Sequence, residues 1–232
     1  MKITGISDLH GYLPNNIPKA DVLCICGDIF PLEYQRDIIT STAWFCLRFL
    51  PWINNLPVEH VIFIGGNHDF LLEHLVDKKY YSPKSALKTL CLRQQINKDL
   101  IFLHNTAITI DGVTFYGTPY CPDLKYWAFY KSSEDLNKTF ETIPATCDVI
   151  LTHCPPKIGE LATVHKNGLN GPDFGCVELA NSLANKNFKL LMCGHVHSGT
   201  HQIVDWNGAK LVNVSLLDEE YHPFYAPTEI DL

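Results

Sequence analysis

Five short polar clusters carry the chemistry open to this sequence: Asp8 and His10 in DLH, Asp28 after Gly27, Asn67, His68 and Asp69 in GNHD, His153 in THCPP, and His195 and His197 in GHVH. Four imidazoles (His10, His153, His195, His197), two carboxylates (Asp8, Asp28) and one amide oxygen (Asn67) are too many donors for one small divalent ion. They suit two ions about 3.5–4 Å apart that share one bridging carboxylate. Asp28 is the expected bridge, because Gly27 before it lets the backbone approach closely and its two oxygens can be divided between two cations. Nitrogen and oxygen donors without thiolate favour Mn²⁺, with Fe, Zn²⁺ or Mg²⁺ also compatible. A lone D-x-H or H-x-H is more often loop polarity than a metal site; five such clusters in one chain reverse that weighting.

Each cluster must be delivered by a rigid element, and each follows a short apolar run: KITGIS, DVLCIC, HVIFIG, DVILT and KLLMC. Runs apolar at every position fit strands covered on both faces. In open α/β sheets the carboxyl ends of the strands form one rim, which would gather the five clusters. Helix-like stretches lie between: residues 33–49, a segment opened by Ser82 and Pro83, SSEDLNKTFETI and PDFGCVELANSLANK. Asp111-Gly112 and Asn207-Gly208, each between β-branched runs, predict two tight hairpins. The whole predicts one domain over 1–232, a layered α/β/β/α sandwich or a mixed, doubly covered sheet.

With 46% hydrophobic residues the chain can bury one sizeable core. A formal net charge of −7 and only three arginines argue against a nucleic-acid partner. Cysteines inside strand-like runs read as small buried hydrophobes in a reducing compartment, so Cys24 and Cys26 are not assigned as ligands. No leader-like or membrane-spanning apolar run is present, and a soluble, cytoplasmic protein is expected. Oligomeric state is left open. Arg36, Arg48 and Arg93 all fall in helix-like stretches between the clusters. Tyr120, Trp127 and Phe129 read as packing residues, unless their loop overhangs the site. His222 can reach the rim only if the C-terminal tail folds back.

The order D-x-H, G-D, G-N-H-D, H and G-H-x-H resembles the calcineurin-like metallophosphoesterase superfamily, with the four-layer α/β/β/α sandwich. The resemblance implies that Asp8, His10, Asp28 and His197 hold one metal and Asp28, Asn67, His153 and His195 the other. His68 would protonate the leaving group, Asp69 would orient or tune its ring, and Asn67 and His68 would meet the substrate. GTPYCPDLKYWAF, FGCVELANSL and NVSLLDEEY are similar to the metallophosphoesterase-domain-containing branch, whose characterised members are weak metal-dependent phosphodiesterases acting on cyclic nucleotides and related esters. The protein phosphatases of the superfamily have Arg before G-N-H, where this chain has Gly65. A small-molecule phosphodiesterase is therefore expected. Phosphomonoesterase or nucleotidase, protein phosphatase, nuclease and non-catalytic scaffold remain as alternatives.

Overall fold

The computed structural model describes residues 1–77, 96–166 and 169–232. Strands β1 (Lys2–Ile6), β2 (Ala20–Ile25), β3 (Val58–Phe63) and β4 (Asp99–Phe102) run parallel, and β13 (Thr228–Asp231) pairs antiparallel with the free side of β1. A second sheet comprises β5 (Thr106–Ile110), β6 (Val113–Thr118), β7 (Val149–Thr152), β10 (Leu190–Cys193), β11 (Val204–Trp206) and β12 (Ala209–Asn213) in the order β11-β12-β10-β7-β6-β5. Its four central strands are parallel and its edges antiparallel. β8 (Thr163–Lys166) and β9 (Leu169–Asp173) form a separate hairpin.

Alternation along these apolar strands creates three cores. Val22, Cys24, Cys26, Ile62 and Ile64 face Leu151, Met192, Val212 and Val214 between the sheets. Leu23, Ile25, Val61 and Phe63 face outward, beneath Phe45, Phe49, Ile53 and Leu72. Those residues come from a run comprising α1 (Ile38–Trp44), a π turn (Phe45–Phe49) and α2 (Leu50–Asn54), and from α3 (Phe70–Asp77). On the second sheet, Tyr116, Ile150, Leu191 and Leu211 pack against Leu136 and Phe140 of α4 (Ser133–Glu141) and Leu179 and Leu183 of α5 (Val177–Leu183). The result is an α/β/β/α sandwich of two mixed sheets. Each fully buried large apolar side chain contributes about 1.5–3 kcal/mol to it.

The helix expected over 33–49 is displaced. Asp37 accepts from the Ile39 and Thr40 amides at 2.9 and 3.1 Å and caps a helix beginning at Ile38. Residues 33–37 are therefore left as a turn at the rim. The helical run continues to Asn54 through Pro51, which lies in the first turn of α2, where its missing N–H does least harm. Both hairpins form as expected, with Asp111, Gly112, Asn207 and Gly208 at φ 47, 80, 51 and 83°. The helix predicted from Ser82 and Pro83, and Arg93, lie outside the described residues. Cys24 and Cys26 are buried core thiols. Among the described residues no helix is long and apolar enough to cross a membrane.

Candidate metal centre

The five clusters meet where the strands end. Asp8, His10, Asp28 and His195 have left-handed φ angles of 54, 41, 52 and 72°. Such conformations are uncommon outside glycine and persist only where surrounding structure enforces them. Here they turn the loops sharply after β1, β2 and β10, so that side chains point back across the rim. Gly27 is itself left-handed (φ 98°), and a Cβ on it would lie 2.7 Å from His153 Nδ1.

Asp28 sits at the centre, buried. Its Oδ2 lies 3.3 Å from His153 Nε2, 3.7 Å from His10 Nε2 and 3.9 Å from His68 Nε2, and its Oδ1 accepts from the His68 amide at 2.8 Å. Asp8 Oδ1 lies 3.5 Å from His197 Nε2, and Asp8 Oδ2 accepts from Ser215 Oγ at 2.6 Å. The His195 amide donates to both Asp8 oxygens at 3.1 and 3.0 Å. Asn67 Oδ1 is 2.9 Å from His153 Nε2, and the His195 ring packs on that of His153 at 5.1 Å. The seven residues proposed as ligands from sequence are thus brought together, and Asp8, Asp28 and His153 present donor atoms all within 4.8 Å of one another.

The outward nitrogens of two rings are fixed by main-chain carbonyls: His153 Nδ1 donates to Cys26 O at 2.8 Å and His197 Nδ1 to Asp218 O at 2.7 Å. Each Nε2 therefore faces the site, as second partners on metal-binding histidines require. His10 is the informative exception. Its side chain is 2% exposed, yet neither ring nitrogen has a hydrogen-bond partner among the described residues. A buried imidazole without partners is costly unless something else satisfies it. A cation set among two carboxylates and several imidazoles fits that requirement, so the residues present suit divalent metal.

The electrostatics are those of a mutually compensated cluster. Burial alone would raise the pKa values of Asp8 and Asp28, but the facing imidazoles outweigh it and hold both well below the ordinary carboxylate range. Burial opposes protonation of His153 and His197 as well; Asp28 and Asp8, respectively, overcome it and lift each to about 9. His10 and His195 are pushed down to about 4, chiefly by burial.

Asp69 departs from expectation. Its carboxylate does not orient the His68 ring; it accepts from the Gly66 and Ile29 amides at 2.7 and 2.8 Å and from Phe30 N at 3.2 Å, tying the β3 loop to the β2 loop. The partner of His68 Nδ1 is Gln35 Oε1, carried by the turn that the Asp37 cap leaves free. The arginine expectation changes for the same reason. Arg36 is not helical, and its guanidinium lies 4.9 Å from the Trp127 ring centroid, while that ring lies 4.5 Å from His68. Trp127 is therefore a rim residue, whereas Phe129 is core and Tyr120 bonds His104. The C-terminal tail does fold back, and it presents Tyr221 (φ 64°), edge-on to His10 and His197, while His222 points to solvent. Gln35 lies in no motif, and Cys121, Ser215 and Tyr221, though within segments that carry the family resemblance, have no role that spacing assigns; Cys121 lies with His153 and His195.

Gly65 occupies the position where the phosphatases carry arginine, and a Cβ there would collide with the Phe129 ring. That space is already filled from the 121–130 loop.

Residues 1–199 match the sequence profile of calcineurin-like phosphoesterases. Metallophosphoesterase domain-containing protein 1 of Homo sapiens is 30% identical over 98% of this chain and 69% of its own length, and the Mus musculus protein gives the same figures. Among solved structures, the phosphopantetheinyl hydrolase of Mycobacterium tuberculosis superposes with a TM-score of 0.55 at 15% identity, over 95% of this chain and 90% of that one.

Proposed function

The chain belongs to the calcineurin-like phosphoesterase family, and from that premise we propose that it hydrolyses phosphodiester bonds of small molecules, cyclic nucleotides among them, at a two-metal centre. The observation that carries the reading is the convergence of Asp8, Asp28, Asn67, His153, His195 and His197 around His10, whose two ring nitrogens have no hydrogen-bond partner among the described residues. Asp8, His10, Asp28 and His197 would hold one ion and Asp28, Asn67, His153 and His195 the other, with Mn²⁺ favoured. Bound divalent ions supply Lewis-acid polarisation of the ester and a more acidic water.

The chain's own part in the reaction is proton delivery and orientation. His68 is half-buried at the mouth of the site, its Nε2 facing the site and its Nδ1 held by Gln35. Burial holds its pKa below the ordinary imidazole value; in its protonated form the ring would give up the Nε2 proton to the departing oxygen, a step typically worth ~10²–10⁴-fold. Gln35 restrains the ring, and Asp69 sets the loop that carries Asn67 and His68. Ser215 fixes the rotamer of Asp8.

Substrate class follows from where positive charge is absent. Among the described residues no lysine or arginine pairs with Asp8 or Asp28, and Arg36 stands beyond Trp127. A phosphomonoester brings nearly two negative charges and benefits from cationic donors at the phosphoryl group; a diester brings one. Metal-reconstituted protein assayed on phosphomonoesters, diesters and 2′,3′- and 3′,5′-cyclic nucleotides tests the reading. Higher kcat/KM is expected for bis(p-nitrophenyl) phosphate or a cyclic nucleotide than for p-nitrophenyl phosphate or AMP. A preference for monoesters would overturn the diesterase assignment and leave the metal assignment standing.

A further inference from the structure

The loop that carries Trp127 is fastened to the site itself. Ala128 N donates to Asn67 O at 3.0 Å and Phe129 N to Glu73 Oε1 at 2.6 Å. Left-handed Asp123 and Phe129 (φ 60 and 52°) turn the chain at either end. Trp127 is consequently half-buried against His68. Arg36 is held on the same surface, its guanidinium 4.3 Å from the Phe70 ring centroid and 4.9 Å from that of Trp127, with Nη2 donating to Tyr126 O at 3.2 Å. Among the described residues no carboxylate pairs with it. In a chain of net charge −7, the guanidinium lies against Trp127, the ring that also contacts the proposed proton donor, and retains unused donors.

Direction gives this arrangement its meaning. His68 delivers its Nε2 proton to the departing oxygen, so the leaving group passes the His68 ring, and the surface bordering that ring is Trp127, 4.5 Å away. That surface is an aromatic face beside a planar, permanently charged fork suited to carboxylate or phosphate. We infer that Trp127 and Arg36 form a leaving-group subsite, selecting phosphodiesters whose leaving group is planar and itself carries a negative charge. The inference rests on the phosphodiesterase reading and deepens it. It differs from a purely structural role for Arg36, as a clip between the 33–37 turn and the 121–130 loop, which would be indifferent to leaving-group charge.

The test uses two methyl aryl phosphate diesters of matched leaving-group acidity, one bearing a carboxylate on the aryl ring and one the uncharged carboxamide. The wild-type Mn²⁺-loaded enzyme is expected to favour the carboxylate substrate in kcat/KM. In Arg36→Ala that ratio falls about tenfold, the scale of one lost charge-assisted hydrogen bond, and Arg36→Lys recovers part of it. Trp127→Leu raises KM for both substrates more than it lowers kcat, and Trp127→Phe restores binding. An unchanged ratio in Arg36→Ala, with both rates lowered together or neither affected, would overturn the subsite while leaving the phosphodiesterase reading intact. A wild-type enzyme inactive on both diesters yet active on aryl monoesters would overturn that reading, and the subsite with it.

Discussion

His68 and Asp69 are neighbours in sequence whose side chains serve different structures: His68 turns Nδ1 to Gln35 Oε1, while Asp69 accepts three main-chain amides of the β2 and β3 loops. Replacing His68 with alanine is expected to lower kcat by ~10²–10⁴-fold on an ester with a poor alkoxide leaving group. The loss is much smaller with p-nitrophenolate, which needs little protonation, and metal content is unchanged. Gln35→Ala should reproduce this leaving-group pattern at about a tenfold level, since it loosens the ring without removing it. Equal losses on both kinds of substrate would remove His68 from proton transfer.

Asp28 is the residue both ions are proposed to share. Asp28→Asn keeps an oxygen able to accept from the His68 amide, so the loop hydrogen bond need not be lost. The substitution removes the charge facing His10, His68 and His153. Both ions are expected to be lost together, with activity down at least about 10²-fold. Full activity in this variant would refute the bridging role.

Metal removal should be visible in stability as well as in rate. Ions that bind the folded chain alone stabilise it by mass action, by about 2.7 kcal/mol at a hundredfold excess over Kd. For a chain of this length that corresponds to a Tm shift of about 5–10 °C. Chelation by EDTA is expected to lower Tm by that order and Mn²⁺ to restore it, as followed by circular dichroism. A Tm indifferent to chelator and metal would count against a resident centre.

Gly65→Ala tests the packing beneath the rim. Its Cβ would be forced into the Phe129 ring, with an expected cost of about 1–3 kcal/mol. Because Phe129 follows Trp127 and Ala128 on the loop tied to Asn67, KM should rise as well. Chemical denaturation and steady-state kinetics on one variant check both effects; wild-type stability would show that the ring has room to move.

The sandwich was legible in the sequence because it depends on local patterns: doubly apolar strands, each followed by Gly, Asp, Asn or His, and two hairpin dipeptides that need φ above zero. The seven proposed ligands were legible because five strand ends share one rim. Gln35 and Arg36 were hidden by a competing signal. The apolar periodicity from 33 to 49 favours a helix throughout, whereas the Asp37 cap stops it at Ile38 and frees the preceding turn to reach His68. Trp127 and Tyr221 were hidden because loop contacts place them, through Asn67 O with Ala128 N and through the turn at Asp218. The main-chain partners of Asp69 were hidden because adjacency to His68 says nothing about where a side chain points.

Elemental analysis of the purified protein after Mn²⁺ loading and removal of free metal tests the central claim most directly. Seven converging donors with a shared carboxylate predict a stoichiometry approaching two ions per chain, falling towards none in Asp28→Asn; fewer than one ion per wild-type chain would contradict the two-metal centre.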